Sequence, residues 1–419
     1  MTNSPRIGSA TIIISTLLAA LLVLLCLGYS VGWDATWRSF GVTPLHPFFV
    51  DMHGVTDPAA CAVKGFNPYL HTPCMPDRVY NYPPVWLWLG YLGIDGSDAV
   101  WLSILIIVGA LVVVVLLLQG RSIGHGALAS LAILSPSVMM GVERGNIDFL
   151  ILMLVGGAAL VFKAQKLDRI FWAGTLISLG VFLKLYPMFC VALVARFYKQ
   201  AILFAVVLAI VSLCYLAVIF PDLPFIRQNT GTTFDLSYGY KVPFLGLDHL
   251  RSEAGLGAIA LTDTWVPFAL ALLILILAAA TALLNFRYGR SFCTVPDNVA
   301  GTAYLFGSGI YCGTFLLGAD YIYRLMFLLL CLPQLLDWGS GGPSERERTE
   351  TIGRGLLALV LSALWLNGNP HGFSTFMWAP QLIDWLLFFG LATILLSNLL
   401  SSAAPALKRW QPLRLFPRP

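Results

Sequence analysis

The chain has 419 residues, of which 58% belong to the apolar types AVILMFWYC and only 11% are charged. Ordinary soluble domains carry about 25% charged residues. Together with a mean hydropathy of +0.80, this composition excludes a soluble globular protein, a disordered chain and a small secreted disulfide scaffold. It indicates a polytopic membrane protein, in which each helix satisfies its own backbone hydrogen bonds. The net charge of +4 gives no indication of nucleic-acid binding.

Ten apolar runs are candidates for full membrane spans, each of which needs about 20 residues. In chain order they lie near Thr11–Val31, Ala99–Leu118, Gly126–Met140, Ile147–Phe162, Ala201–Phe220, Thr264–Asn285, Asn298–Leu317, Tyr321–Leu336, Gly353–Leu366 and Leu382–Leu400. The first run is too long for the apolar region of a signal peptide and precedes no small-residue cleavage site, so we expect an anchored helix. The fold class predicted is an all-α polytopic membrane protein, with residues 1–419 forming one integral membrane domain.

The stretch Phe171–Ala195 is interrupted by Lys184-Leu-Tyr-Pro187. If it enters the membrane and returns to the same face, 16 of the 25 Lys and Arg residues fall on one side. Basic residues mark the cytoplasmic side. We therefore predict a broken, re-entrant helical hairpin here, in addition to about ten full spans, and cytoplasmic N- and C-termini. Such irregular backbone is tolerated only where protein or a water-filled cavity covers it.

The opposite, extracytoplasmic face carries most of the acidic residues, 14 of 21, and five of the six histidines. It also carries the two long loops, residues 32–92 and 221–263. Loops of this length are usually functional. Residues 339–351 are interpreted as a short polar cytoplasmic linker.

The first long loop contains two aspartates with different interpretations. Asp57-Pro58, followed by Gly65, is typical of a capped short helix, so a capping role for Asp57 outweighs a catalytic one. Asp51 follows the apolar residues 47–50 without such a role, and is either a solvated loop carboxylate or a catalytic group. Cys61 and Cys74 in the same loop form a disulfide if the compartment is oxidising, a point that the sequence leaves open.

Further polar residues lie between or at the ends of spans, where charge is expensive and marks a functional site by default. Gly141-Val-Glu-Arg-Gly-Asn-Ile-Asp148 joins two spans, and Arg144 with Asp148 fits an internal i,i+4 ion pair. Asp320 and Arg324 repeat that spacing. Lys184 has no carboxylate nearby in sequence, which favours an anionic ligand such as a phosphate.

One carboxylate, three cations and an amide are thus predicted on the outer side of a membrane bundle: Asp51, Arg144, Lys184, Arg324 and Asn146. This combination suits a reaction between a lipid-phosphate donor and a hydroxyl acceptor. The cations would hold the leaving phosphate, and the carboxylate would take the acceptor's proton. The sequence has no CxxC, HExxH or paired-His spacing that would indicate a metal site.

The order of these elements resembles glycosyltransferase family 87, the polyprenyl-phosphate-mannose-dependent members of the GT-C superfamily. The resemblance rests on Asp51, Gly65-x-Asn-Pro-Tyr69, Tyr82-Pro-Pro84, the Gly145-Asn146 turn and Lys184-Leu-Tyr-Pro187. It covers residues 51–199 well and the remainder by span pattern.

The resemblance implies a GT-C-like bundle with its active site on the extracytoplasmic face of a bacterial-type inner or plasma membrane. A hexose, mannose-like, would pass from a polyprenyl-phosphate sugar to a lipid or glycan acceptor, with inversion and without a metal or other cofactor. Asp51 matches the superfamily's usual base, and Lys184, Arg144 and Arg324 would bind the donor phosphate. Residues expected to contact sugar or acceptor are Glu143, Asn146, Asp148, Tyr69, Tyr82, Tyr186, Asp320, His53 and His249. Besides the two substrates, the expected partners are membrane lipids.

Two other functions remain open at this point. A transporter or flippase for an anionic lipid or solute also predicts broken helices and intramembrane charges. A transporter would favour matching broken helices in both halves of the chain, whereas the sequence has one broken segment, near Lys184. A non-catalytic subunit of an envelope-polysaccharide machine is the third interpretation.

Overall fold

The structure is a computed structural model that describes residues 8–70, 73–76, 78–162, 166–195, 198–231, 233–257, 266–287, 293–341, 347–367 and 378–409. Several predictions concern residues outside these ranges. They include His71, Asp77, Lys163, Arg196, Asp263, Arg290, Arg346, His371 and parts of the loops 32–92, 221–263 and 339–351.

The described chain is almost entirely helical. Its α-helices are α1 (Ser9–Val31), α2 (Trp33–Ser39), α3 (Val50–Val63), α4 (Trp88–Tyr91), α5 (Ala99–Leu118), α6 (Ile123–Ile133), α7 (Pro136–Arg144), α8 (Asp148–Val161), α9 (Leu167–Leu183), α10 (Tyr198–Ile219), α11 (Leu223–Asn229), α12 (Val242–Glu253), α13 (Val266–Arg287), α14 (Val299–Leu317), α15 (Leu332–Gly339), α16 (Glu347–Leu366) and α17 (Trp378–Arg409). Four 3₁₀ segments span Pro84–Leu87, Gly96–Asp98, Tyr186–Ala195 and Ile322–Leu330. Two short strands, β1 (Ser237–Tyr238) and β2 (Asp320–Tyr321), pair antiparallel with Ser237 opposite Tyr321.

The all-α polytopic fold is confirmed, with seven to nine spans in the described residues where about ten were predicted. Seven helices are long and apolar enough to cross a membrane, namely α1, α5, α10, α13, α14, α16 and α17. Two further pairs count as one span each if their 56° bends are included: α6 with α7, and the segment Ile322–Leu330 with α15. The predicted span Ile147–Phe162 is the 14-residue helix α8. At 1.5 Å per residue it covers about 21 Å, less than the roughly 30 Å of the hydrocarbon core.

Contacts between helix termini show which of them lie at the same end of the bundle. At one end the Ser9 hydroxyl donates to the Leu118 carbonyl (2.6 Å) and Arg121 pairs with Asp337 (2.8 Å). Described basic residues predicted to be cytoplasmic lie at or near this end: Arg121, Lys166, Arg169, Arg287, Arg348 and Arg354. The other end holds residues 32–98, the α7–α8 turn, Lys184 and the α10–α12 region. We call it the loop end.

The predicted interruption at Lys184–Pro187 separates α9 from the segment Tyr186–Ala195. Its tip is at the loop end, because the Trp86 indole donates to the Leu183 carbonyl (2.9 Å). The second segment then runs back along α14, where a Cβ on Gly313 would lie 2.1 Å from the Phe189 ring. The two segments therefore form a hairpin within the bundle, and re-entry with respect to a membrane remains a prediction.

In the first long loop the structure corrects the helix boundary. Helix α3 begins at Val50, seven residues before Asp57, and Pro58 lies inside it. Asp57 is therefore not an N-cap; its carboxylate instead contacts His53 Nδ1 one turn earlier (3.2 Å). Gly65 follows the helix end with a φ of +86°, as the capping pattern predicts. Cys61 and Cys74 form a disulfide that ties residues after α3 back to the helix.

Candidate active site

Asp51 lies in the first turn of α3, and only 8% of its surface is exposed. Asn146 Nδ2 donates to Asp51 Oδ2 (2.6 Å), and Arg78 Nη1 donates to Oδ1 (3.3 Å). Both carboxylate oxygens are thus held by donors on other segments. This is a fixed, buried carboxylate and not a freely solvated loop residue.

The turn between α7 and α8 positions Asn146. Gly145 has a φ of +59°, and a Cβ there would lie 2.3 Å from Ser103 Oγ and 2.7 Å from Phe49 Cβ. A side chain at position 145 would therefore be strained both by the positive φ and by these close contacts. Asn146 is fully buried and uses both ends of its amide, because its Oδ1 accepts from the Asp148 backbone N–H (2.8 Å). It joins Asp51 to the start of α8.

Asp148 is fully buried at the centre of a charged cluster. Lys184 Nζ donates to its Oδ1, as does the Tyr186 hydroxyl (2.8 Å), and Arg324 Nε lies 3.5 Å from Oδ2. Arg324 also pairs with Asp320, which confirms that i,i+4 pair. Asp148, Lys184, Arg324 and Asp320, which we call the Asp148 cluster, carry two charges of each sign. The sequence argument that Lys184 lacks a carboxylate is corrected, because α8 and α9 pack together and supply Asp148.

Arg144 does not form the predicted ion pair with Asp148. Its guanidinium lies over the rings of Tyr321 and Tyr323, 5.6 and 5.8 Å from their centroids. Only 6% of Arg144 is exposed. Within the described residues no carboxylate lies within ion-pair distance, and its buried Nε has no hydrogen-bond acceptor.

A cavity of about 470 Å³ opens beside Asp51. Its wall combines charged, amide and aromatic side chains, a composition suited to a polar ligand. The lining includes Asp51, Arg78, Tyr80, Tyr82, Arg144, Asn229, Tyr321 and Tyr323. Burial raises the pKa of Tyr82 well above its ordinary value, and the nearby Asp51 charge raises it further. Tyr82 therefore remains a neutral phenol at physiological pH.

The Asp148 cluster lies behind this wall, next to Tyr82. The Lys184 ammonium is 5.2 Å from the centre of the Tyr82 ring, and the Arg324 guanidinium is 5.2 Å from that of Tyr186. Of the predicted residues, Asp51, Arg144 and Tyr82 line the cavity. Asn146 is one contact away through Asp51.

Four other predicted residues do not line the cavity. The Tyr69 hydroxyl donates to the Tyr82 carbonyl (2.8 Å), and Glu143 Oε1 accepts from the Leu45 backbone (2.8 Å). His53 contacts Asp57, and the half-exposed His249 contacts Glu253 (3.3 Å) on α12. Tyr69 and Glu143 support lining residues, whereas the two histidines are not among the residues that line the cavity.

Sequence reasoning missed Arg78, and it also missed the lining tyrosines Tyr80, Tyr321 and Tyr323. The signal of Arg78 in the sequence was weak, because it is an isolated arginine on the predicted extracytoplasmic face, which carries most of the acidic residues. It follows the Cys61–Cys74 disulfide by four residues in the chain, and it contacts Asp51. Among the described residues no group of three or more His, Cys, Asp or Glu side chains is placed to hold a metal ion.

Fold and site together define a polytopic membrane protein with a polar, arginine- and tyrosine-lined cavity at one end of its bundle. The chain belongs to glycosyltransferase family 87, whose family model matches residues 80–295, a little over half of its length. It is accordingly a membrane glycosyltransferase. No curated protein and no solved structure matches the chain. The matched range includes Tyr82, Arg144, Asn146, Asp148 and Lys184. It begins after Asp51 and Arg78, whose assignment rests on the geometry above.

Proposed function

We propose that the protein transfers a hexose, mannose-like, from a polyprenyl-phosphate sugar to a hydroxyl of a lipid or glycan acceptor. Transfer is inverting and metal-independent, with Asp51 as general base. The observation that carries the proposal is that Asp51 and Arg144 line one cavity, a fixed carboxylate together with a cation that has no carboxylate partner in the described residues. Family membership supports glycosyl transfer, and the arginines on the cavity wall support a donor that carries a phosphate.

The proposed step is a single displacement. The acceptor oxygen forms a bond to the anomeric carbon as its proton passes to Asp51. The bond from that carbon to the phosphate oxygen breaks, and its electron pair leaves with the polyprenyl phosphate. A base must lie about 2.6–3.2 Å from the acceptor hydroxyl to act in this way. Asn146 supports the role of Asp51 as general base, because its hydrogen bond to Oδ2 holds the carboxylate in place.

Negative charge develops on the leaving phosphate as the anomeric carbon becomes oxocarbenium-like. Fixed cations contribute most at such a point because they need no reorganisation during the reaction. Of the three predicted phosphate-binding residues, Arg144 lines the cavity, while Lys184 and Arg324 lie one layer behind it. The proposal therefore assigns direct contact to Arg144 and support of the wall to the other two.

The sugar is proposed to occupy the part of the cavity lined by Tyr80, Tyr82, Tyr321 and Tyr323. Aromatic faces with a few polar groups are typical of sites that orient a small ligand. Tyr69 and Glu143 hold backbone that carries lining residues, so their proposed effect on sugar or acceptor binding is indirect. Asp148, Tyr186 and Asp320 act through the cluster, and His53 and His249 are left without a role in this step.

The proposed orientation places the loop end on the extracytoplasmic side. It is supported by the basic residues at the opposite end, because lysine and arginine are enriched in cytoplasmic loops. Both termini are then cytoplasmic, in a bacterial-type inner or plasma membrane. The polyprenyl chain would lie along apolar helix surfaces within the same leaflet as the cavity.

The test is a donor panel. Purified protein in detergent or vesicles is incubated with polyprenyl-phosphate hexoses and a mixed acceptor extract, and release of polyprenyl phosphate is measured. The proposal expects release from at least one donor, with the sugar recovered on an acceptor. No release from any donor, combined with transport of the intact lipid across vesicles, would favour the transporter instead.

A further inference from the structure

Two arginines on the cavity wall differ from the other cations of the site. Arg144 is more than nine-tenths buried, and its Nε has no acceptor among the described residues. A buried cation without a counter-charge is costly, and a cation–π contact with Tyr321 and Tyr323 compensates only part of that cost. This arrangement points to an anionic ligand.

Arg78 reaches the same cavity from the disulfide-tied loop. Its side chain is 38% exposed, and the described structure uses one of its five N–H donors, on Asp51 Oδ1. The planar guanidinium can contact two acceptors at once. Arg78 is therefore able to hold Asp51 and an anion together.

Charge decides which cations are available to a ligand. In the Asp148 cluster, Lys184 and Arg324 are matched by Asp148 and Asp320. On the described cavity wall, Asp51 is matched by one of the two arginines, which leaves one net positive charge. A negatively charged ligand offsets the positive charge of the wall, whereas it would add uncompensated charge to the cluster.

We propose that Arg78 and Arg144 form a two-arginine anion site that binds the donor phosphate, with Arg78 contacting the phosphate and Asp51 together. Lys184 and Arg324 are positioning residues in this arrangement. The identification of the anion as the donor phosphate rests on the proposed function. The existence of the anion site does not.

The experiment measures binding and not turnover. Purified protein is titrated with farnesyl phosphate, a prenyl monophosphate, and with farnesol as the matched tail without charge. The variants are R144Q, R144K and R78Q, with R227Q as the control. Arg227 lies on α11, outside this cavity.

R78Q and R144Q should each weaken farnesyl phosphate binding about tenfold or more, the effect of losing a charge-assisted hydrogen bond. Farnesol binding should not change, and R227Q should stay within about threefold of the wild type. Because R144Q removes a buried side chain, R144K and the exposed-loop variant R78Q serve as checks that do not depend on its folding. Partial recovery in R144K supports direct contact.

Wild-type affinity in both R78Q and R144Q would overturn the site, as would equal binding of farnesyl phosphate and farnesol by the wild type. Failure of the proposed function has a different signature. If both arginines are needed for farnesyl phosphate binding but the donor panel yields no release, the anion site stands and the transfer proposal falls.

Discussion

Asn146 Nδ2 donates a hydrogen bond of 2.6 Å to Asp51 Oδ2, joining residues 95 positions apart in the chain. Through its other amide atom Asn146 also accepts from the first backbone N–H of α8 (2.8 Å). The orientation of the proposed base is therefore coupled to the position of α8, and through Asp148 to the tip of the hairpin.

Replacing Asn146 tests this coupling. N146A removes both hydrogen bonds and should lower kcat about 10–100-fold, because small misplacements of a catalytic group cost up to about 10² in rate. The KM for the donor should change little, since Asn146 does not line the cavity. The control is N285A at the other end of the bundle, where Asn285 donates within its own helix (2.7 Å) and accepts from Arg348 (2.9 Å). A wild-type kcat in N146A would contradict the positioning role.

Lys184 and Asp148 are predicted to stabilise the hairpin tip as a buried pair. K184M leaves Asp148 short of a partner, and breaking a buried ion pair costs about 3–5 kcal/mol. The double variant D148N/K184M should recover most of the lost stability, measured by the midpoint of thermal unfolding. R354M breaks an exposed pair with Glu350 at the opposite end, where about 0–1 kcal/mol is expected. If K184M is as stable as R354M, the pair is not structural.

The Cys61–Cys74 disulfide should matter for donor binding as well as for stability. A C61S/C74S variant should lose about 2–4 kcal/mol. It should also raise the donor KM more than it lowers kcat, because Arg78 follows the bridge by four residues and depends on it for position. The exposed free cysteines Cys26 and Cys214 supply the control, C26S/C214S, which should leave both parameters unchanged. An unaltered donor KM in C61S/C74S would show that the position of Arg78 does not depend on the disulfide.

The proposed orientation can be tested by labelling. In a background without Cys26 and Cys214, a cysteine at Ser252 should react with an impermeant maleimide from outside the cell, and one at Glu347 only after the membrane is opened. Both positions are exposed and lie at opposite ends of the bundle. Labelling of both from the same side would mean that the hairpin does not return to its face of entry.

Local pattern was sufficient for much of this fold. The apolar runs located the long spans, and the interruption at Lys184 located the hairpin tip. The Asp320–Arg324 pair followed from its i,i+4 spacing. Each of these features depends on residues close together in the chain. Spacing alone is not sufficient, because Arg144 and Asp148 have the same i,i+4 spacing but lie on either side of the α7–α8 turn and do not pair.

The rest depends on packing between distant segments. Asp148 and Lys184 are 36 residues apart, and they meet because α8 and α9 lie side by side. Arg78 and Asp51 are 27 residues apart, and they meet although Arg78 lies beyond the end of α3. The start of α3 was misplaced because Asp57-Pro58 has the composition of a helix N-terminus, whereas the helix continues through Pro58 and Asp57 contacts His53.

The central claim is that Asp51 removes the acceptor's proton during transfer from a polyprenyl-phosphate sugar. The most direct measurement is single-turnover transfer by wild type and D51N with the donor that the panel identifies, alongside farnesyl phosphate binding to show that the cavity is intact. The account predicts a rate about 10²–10⁴-fold lower in D51N, the usual value of general-base catalysis, with unfolding midpoint and phosphate affinity close to wild type. Near-normal single-turnover transfer by D51N would contradict it and move the role of base to Asp57 or Glu143.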